Sequence, residues 1–278
     1  MLVNLKTILK NAHKDGYAVG LFNTTDTDLL QAVISAAEER KSPVIIGTAE
    51  ILLAYADFDA IGASMINIAQ KASVPVTVHF DHGLTFECCM KALKMGFTGV
   101  MFDGSALPYE ENVRQTREIV KIAHSFGAGV EGEIGHVGEA ANEDNVSSNM
   151  YTTVDMAKQY AEGTGVDALA IAIGTAHGAY KSKPKLDFER LASIRSELDI
   201  PLVLHGGSGL SDDDFRNSVK YGISKVNIFT DLCTAAKESL EESFSNNFDY
   251  LTANTAKIGA VKSAVERKME LFGSCGRG

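Results

Sequence analysis

Three histidines in this chain sit where apolar runs end. They are His82 in "PVTVHFDHG" (75–83), His177 in "GTAHGAY" (174–180) and His205 in "VLHGGSG" (203–209), and each precedes a glycine. Neutral imidazole is the commonest metal ligand in proteins, and three imidazoles with one open position make a catalytic zinc arrangement. Taken singly, each of these residues reads as a core or hydrogen-bonding histidine. Taken together at three strand ends, they point to a metal. Carboxylates recur in the same positions: Asp81 beside His82, Asp103 at the end of "TGVMFD", and Glu131 and Glu133 in "VEGEIG". Asp103 alone is equally well read as a helix cap. As a set, such carboxylates beside imidazoles require a cation or shared protons, so they either hold a second metal or orient the histidines. His13 and His124 fall on helical patterns and His136 in a polar stretch, and all three take the bland reading. His79 stays unassigned.

A second chemistry is written in glycines. "HGGSGLSDDD" (205–214) and "KVNIFTD" (225–231) are turns that run from an apolar segment into a helical one. Free backbone N–H groups at such a helix start cradle an anion, and the Ser208 and Thr230 hydroxyls add donors.

These residues need a frame that brings strand ends together. Eight short, near-continuously apolar runs are spaced along the chain, at 18–23, 43–47, 75–81, 98–103, 127–134, 168–174, 201–206 and 223–228. Continuous apolarity marks strands covered on both faces. Amphipathic stretches separate them. One is "DTDLLQAVISAAEERK", capped by Asp26 with Leu29, Leu30, Val33, Ile34 and Ala37 on one side; another is "SDDDFRNSVKYG", with Ser211 as cap and Gly222 at its end. The alternation predicts an α/β fold, a single (β/α)8 TIM barrel over residues 1–278 with additional N- and C-terminal helices. An open doubly wound sheet is the runner-up. In a barrel the carboxyl ends of the strands form the reaction face, and phosphate sites favour the loops after strands seven and eight. The long polar stretch 135–153 reads as a lid.

The totals narrow the function. The chain has 278 residues, 45% of them hydrophobic, and a net charge of −10. That charge argues against a nucleic-acid surface, and no apolar run approaches the roughly 20 residues of a membrane helix. The start lacks a secretory apolar core, and Cys88, Cys89, Cys233 and Cys275 show no disulfide or CxxC spacing. A cytoplasmic protein is the expectation.

Over nearly its whole length the chain resembles the class II, metal-dependent aldolases of the fructose- and tagatose-bisphosphate type. The likeness is carried by "VPVTVHFDHG", "GVMFDGSALPYEENVRQTREIV", "VEGEIGHVG", "AIAIGTAHGAYKSKPKLDFERL", "PLVLHGGSGLSDDD", "GISKVNIFTDL" and "MELFGSCGRG". The resemblance implies a lyase that reversibly cleaves a phosphorylated ketose to dihydroxyacetone phosphate and an aldehyde through a metal-stabilised enediolate. It implies zinc ligands His82, His177 and His205, second-metal positions Asp103 and Glu133, and Asp81 as the catalytic acid. It assigns the ketose phosphate to Gly178, Gly206, Gly207 and Ser208 with Asn227, Ile228, Phe229 and Thr230. A catalytic Zn2+, a second divalent metal, a monovalent cation and a homodimer or homotetramer complete the implication.

Two departures stand out. The family's base lies in a G-G-x-E-D continuation, whereas this chain reads "VGEAANEDN"; the base aligns with Glu143, with Glu139 as rival. Where many bisphosphate aldolases carry an arginine for the distal phosphate, "TAKIGAVKSAVERK" places Ile258, with Lys257 as a point-charge substitute. The expected aldehyde therefore lacks a terminal phosphate, which favours a ketose 1-phosphate over a bisphosphate. Two rivals remain: an isomerase or epimerase using the same enediolate, and a non-catalytic sugar-phosphate-binding subunit of an aldolase complex.

Overall fold

A computed structural model describes residues 1–135, 138–139, 151–178 and 184–278. Most of the stretch read as a lid, including Glu143, lies outside the described residues.

Ten strands and ten α-helices form among the described residues. The strands are β1 (Val19–Asn23), β2 (Val44–Ala49), β3 (Val76–Gly83), β4 (Gly99–Phe102), β5 (Gly129–Ile134), β6 (Gly138–Glu139), β7 (Ala168–Ile171), β8 (Ala176–His177), β9 (Leu202–Leu204) and β10 (Ile223–Ile228). Eight of them close a parallel barrel in the order β1, β2, β3, β4, β5, β7, β9, β10, and β10 pairs back onto β1. The short β6 and β8 pair with each other outside it. The closed barrel matches the expectation from the eight apolar runs. The sixth run ends three residues earlier than expected, at Ile171, and the seventh at Leu204, so His177 and His205 both lie beyond the barrel strands.

Helices α1 (Leu5–Asp15), α2 (Thr27–Glu39), α3 (Phe58–Lys71), α4 (Phe86–Met95), α5 (Tyr109–Ser125), α6 (Val154–Thr164), α7 (Phe188–Glu197), α8 (Asp212–Lys220), α9 (Thr230–Ser245) and α10 (Tyr250–Phe272) accompany the strands. Their ends follow the capping chemistry expected of them. Asp26 accepts from the backbone N–H groups of Asp28 and Leu29, and Ser211 forms a capping box with Asp214.

Strand periodicity divides the core in two. Val76, Val78 and Phe80 of β3 point outward to the helices, in an outer layer with Val44, Ile46, Leu169, Ile171, Val226 and their neighbours. Inside the barrel, Val19, Leu21, Ile45, Ala168, Ala170 and Val203 form a separate apolar layer. Helix α1 closes that layer from below with Leu5, Ile8, Leu9 and Ala12. Burying a side chain of this size contributes about 1.5–3 kcal/mol, so the lower half of the barrel is a conventional core. The upper half is polar, because His79, Asp81, Glu131, Glu133, Lys225 and Asn227 are all buried. No described helix is long and apolar enough to cross a membrane.

Candidate active site

The polar half of the barrel opens at the carboxyl ends of the strands into a cavity of about 420 Å³. Asp81, His82, Asp103, Glu133 and His177 line it, while His205 lies fully buried directly behind. The three imidazoles converge: ring centroids are 4.5 Å apart for His82 and His205, 4.9 Å for His82 and His177, and 5.9 Å for His177 and His205. One nitrogen from each falls within 4.8 Å of the others.

This convergence depends on the end of β3. In a regular strand Asp81 and His82 would face opposite sides. Here the pairing with β4 shifts register between Phe80 and Gly83, and His82 takes a left-handed φ of 42°. The bulge brings both side chains to one cavity. Such a conformation in a non-glycine residue costs of order 1–3 kcal/mol and needs surrounding structure to hold it.

The hydrogen bonds orient each group. His82 Nδ1 bonds Asp103 Oδ2 at 2.7 Å, and Asp103 Oδ1 accepts from the Ser105 hydroxyl at 2.6 Å. Asp103 is thus a partner of His82 and of its own turn; the cap of α5 is Pro108. His205 Nε2 bonds Glu131 Oε1 at 2.8 Å, and His205 Nδ1 faces His82 Nε2 at 2.6 Å. Asp81 is clamped by two amides, Asn23 Nδ2 to Oδ2 at 2.7 Å and Asn227 Nδ2 to Oδ1 at 2.9 Å.

Electrostatics separates the three rings. Burial disfavours charge on all of them. At His82 the carboxylates of Asp81, Asp103 and Glu133 outweigh burial and hold its pKa up to about 10. At His177, burial and the neighbouring His82 push it down to about 3. His205 is lowered by the same two causes. Asp81, although buried, is held far below the usual carboxylate range by His82 and Lys225. Glu133 is pushed up to about 8 by burial and by Asp103.

The donor set fits a divalent cation. Three imidazoles aim at one centre, and two of their ring nitrogens, His82 Nε2 and His205 Nδ1, face each other there. Glu131 and Asp103 then act as the partners that fix ring orientation. A second group, His82, Asp103 and Glu133, also brings ligand atoms within 4.8 Å, and Glu133 Oε2 is buried without a hydrogen-bond partner among the described residues.

The remaining wall of the cavity is glycine and backbone. Gly178, Gly206, Gly207 and Ser208 line it together with Asn227, Ile228, Phe229 and Thr230. Helix α9 begins at Thr230 with no side-chain cap, while the Ser208 hydroxyl accepts weakly from the Phe229 and Asp231 N–H groups at 3.3 Å. The end of β2 and the segments after β2, β3 and β4 contribute Ala49, Ile51, Leu52, Leu84, Ser105 and Ala106. Among the described lining residues there is no lysine or arginine. Lys257, the substitute considered for the distal phosphate, is instead ion-paired with Asp28 at 2.6 Å, and Ile258 packs against the core.

Three residues of this network were not assigned from sequence. Asn23 is a polar residue closing the apolar run "AVGLFN", which was its available signal. Glu131 was read only as one of several carboxylates. Lys225 carries no signal beyond its place in the run "ISKVNI".

A parallel barrel with three converging histidines and buried carboxylates at its carboxyl face has the donor set that metal-assisted enzymes use. The comparisons with known proteins agree. The family described as fructose-bisphosphate aldolase class-II matches residues 3–277, and the chain belongs to it. It is 41% identical over 278 residues to the uncharacterized protein YdjI of Escherichia coli K12, covering 100% of this chain and 99% of the relative. The crystal structure of that YdjI aldolase superposes with a TM-score of 0.91, covering 100% of this chain and 99% of its own. The fructose-bisphosphate aldolase of Thermus caldophilus is 40% identical over 307 residues, with full coverage of both chains. The sulfofructosephosphate aldolase of Alkalicoccus urumqiensis is 38% identical, covering 97% of this chain and 96% of the relative.

Proposed function

We propose that this chain, acting as one barrel domain, is a zinc-dependent aldolase that reversibly cleaves a phosphorylated ketose to dihydroxyacetone phosphate and an aldehyde. The observation that carries this reading is the meeting of three imidazoles, the carboxylates of Asp81, Asp103 and Glu133, and the start of α9 around a single cavity. His82, His177 and His205 hold the zinc. When bound, the zinc supplies a Lewis acid for the substrate oxygens beside the breaking bond and stabilises the negative charge that develops there.

The protein handles the protons. Asp81 accepts the proton of the substrate hydroxyl as the carbon–carbon bond breaks and that oxygen becomes the aldehyde carbonyl; in condensation it returns the proton. The amides of Asn23 and Asn227 hold its carboxylate ionised and immobile, each oxygen keeping a lone-pair direction free. Glu143, with Glu139 as the rival, exchanges the proton on carbon. Backbone N–H groups of the glycine loop after β9 and of the α9 start bind the ketose phosphate, aided by Ser208 and Thr230. Asp103 and Glu133 supply a second divalent site beside His82, and a monovalent cation completes the set of ions. We place the enzyme in the cytoplasm as a homodimer or homotetramer.

The aldehyde half meets small, apolar and hydroxyl side chains, and Lys257 is already engaged by Asp28. The reading is therefore a ketose 1-phosphate rather than a 1,6-bisphosphate. Relatives at nearly equal identity are named for different substrates, so family membership leaves the aldehyde open. The test is release of dihydroxyacetone phosphate by zinc-loaded protein from ketose 1-phosphates and from fructose and tagatose 1,6-bisphosphates. Higher kcat/KM on a 1-phosphate is expected; a clear bisphosphate preference rejects that assignment, and full activity after exhaustive chelation rejects the metal.

A further inference from the structure

Beneath the site, inside the barrel, Lys225 of β10 is buried with no exposed side-chain surface, and so is Glu131 opposite it. A lysine in that position is costly, and apolar residues serve a barrel core as well or better. Its contacts suggest a different use. The ammonium lies 2.7 Å from Glu131 Oε2, an ionic contact without hydrogen-bond alignment, and it donates to Asn227 Oδ1 at 2.7 Å. From these two partners the connections rise to the site. Glu131 bonds the far nitrogen of His205 at 2.8 Å, and Asn227 donates to Asp81 at 2.9 Å.

Strand geometry explains the reach. Lys225 and Asn227 are two residues apart on β10, and therefore face the barrel interior one layer above the other. Residues His79 and Asp81 on β3 repeat the arrangement. His79 is held neutral, at about 4, by burial and by Lys225, so the charge of Glu131 is met by the lysine.

An ammonium can only donate hydrogen bonds, and an ionised carboxylate can only accept them. With Lys225 below and Asp81 above, the Asn227 amide has one satisfactory orientation, oxygen down and nitrogen up. Without Lys225 the amide is free to turn, presenting its oxygen to Asp81 and pushing the carboxylate from its place. We infer that Lys225 is a positioning residue that sets the Asn227 amide, and through it the carboxylate of Asp81, while steadying His205 through Glu131. The inference rests on the roles given above to Asp81 and His205.

Removing Lys225 alone would strand the buried charge of Glu131, so the test uses the charge-neutral pair Lys225→Met with Glu131→Gln. Its glutamine can still accept from His205. The zinc-loaded variant is compared with zinc-loaded wild type for thermal melting, kcat and KM of ketose-phosphate cleavage, and zinc affinity by chelator competition. Expected are a cooperative melt, kcat lowered about 10- to 100-fold with KM within about threefold, and zinc bound about tenfold more weakly. Asn227→Ala is then added to both backgrounds. It is expected to lower kcat in wild type and to lower it no further in the pair, the non-additivity of residues acting in series. If the first pair does not melt cooperatively, Lys225→Leu with Glu131→Gln, which likewise leaves no donor beneath Asn227, is read in the same way. A folded pair with kcat within twofold of wild type, or an Asn227→Ala effect of equal size in both backgrounds, overturns the role of Lys225. Wild-type protein that releases no dihydroxyacetone phosphate from any ketose phosphate overturns the functional reading instead.

Discussion

The chemistry of single residues here turns on one backbone angle. Asp81 and His82 are sequence neighbours on a strand, and alternation should send one to the core and the other toward the helices. The left-handed φ of His82 cancels that alternation. The pair could be picked out from "HFDHG" by residue type, but nothing in the letters says that the strand is bulged there. The amide clamp on Asp81 was likewise hidden, because Asn23 and Asn227 come from strands 58 and 146 residues away. Asp81→Asn keeps the shape and removes the proton acceptor. We expect kcat to fall roughly 10²- to 10⁴-fold with KM little changed, measured by dihydroxyacetone phosphate release; activity within tenfold of wild type would remove Asp81 from the proton path.

Among the elements, strand ends and helix starts carry the site. Caps were legible because they rest on local chemistry, as Asp26 and Ser211 show. Strand limits were less so: the run "ALAIAIG" is apolar through Gly174, yet the barrel strand stops at Ile171, and the chain departs to pair β8 with β6. That departure packs Ala176 against the glycine loop. Gly206 has φ 65°, and a Cβ there would lie 2.3 Å from the Ala176 carbonyl oxygen. The atoms it would meet are all backbone of Ala176, which cannot swing aside as a side chain can. Gly206→Ala should destabilise the protein by about 1–3 kcal/mol and raise KM for the ketose phosphate. Urea unfolding and steady-state kinetics check both, and a variant unchanged in each would show the loop to be more pliable than the contact implies.

At the scale of the molecule, the barrel is apolar below and charged above. Helix α1 and the inner layer of Val19, Leu21, Ile45 and Val203 supply the ordinary core. The upper layer holds His79, Asp81, Glu131, Glu133 and Lys225 out of water. Charges concentrated in this way leave the folded state sensitive to a bound cation. A ligand that binds only the folded form at about 100 times its Kd adds about 2.7 kcal/mol. Zinc should therefore raise the melting temperature by roughly 5–10 °C over chelated protein. His205→Ala should abolish the shift. Equal melting of wild type with and without zinc, by scanning calorimetry, would count against a metal held at this centre.

The sequence alone determined the alternation of eight doubly buried strands with capped helices, since these are local patterns of apolarity and hydrogen bonding; closure by pairing β10 onto β1 belongs to the tertiary structure. The sequence also determined the residue types of the site and, through the missing arginine, a doubt about the second phosphate. Only the tertiary structure decided which of those residues meet, that Lys257 is taken by Asp28, and that Lys225 lies inside. The reason is physical: a strand's own residues specify its burial and its caps, whereas the direction of a charged side chain depends on partners that other strands bring across the barrel.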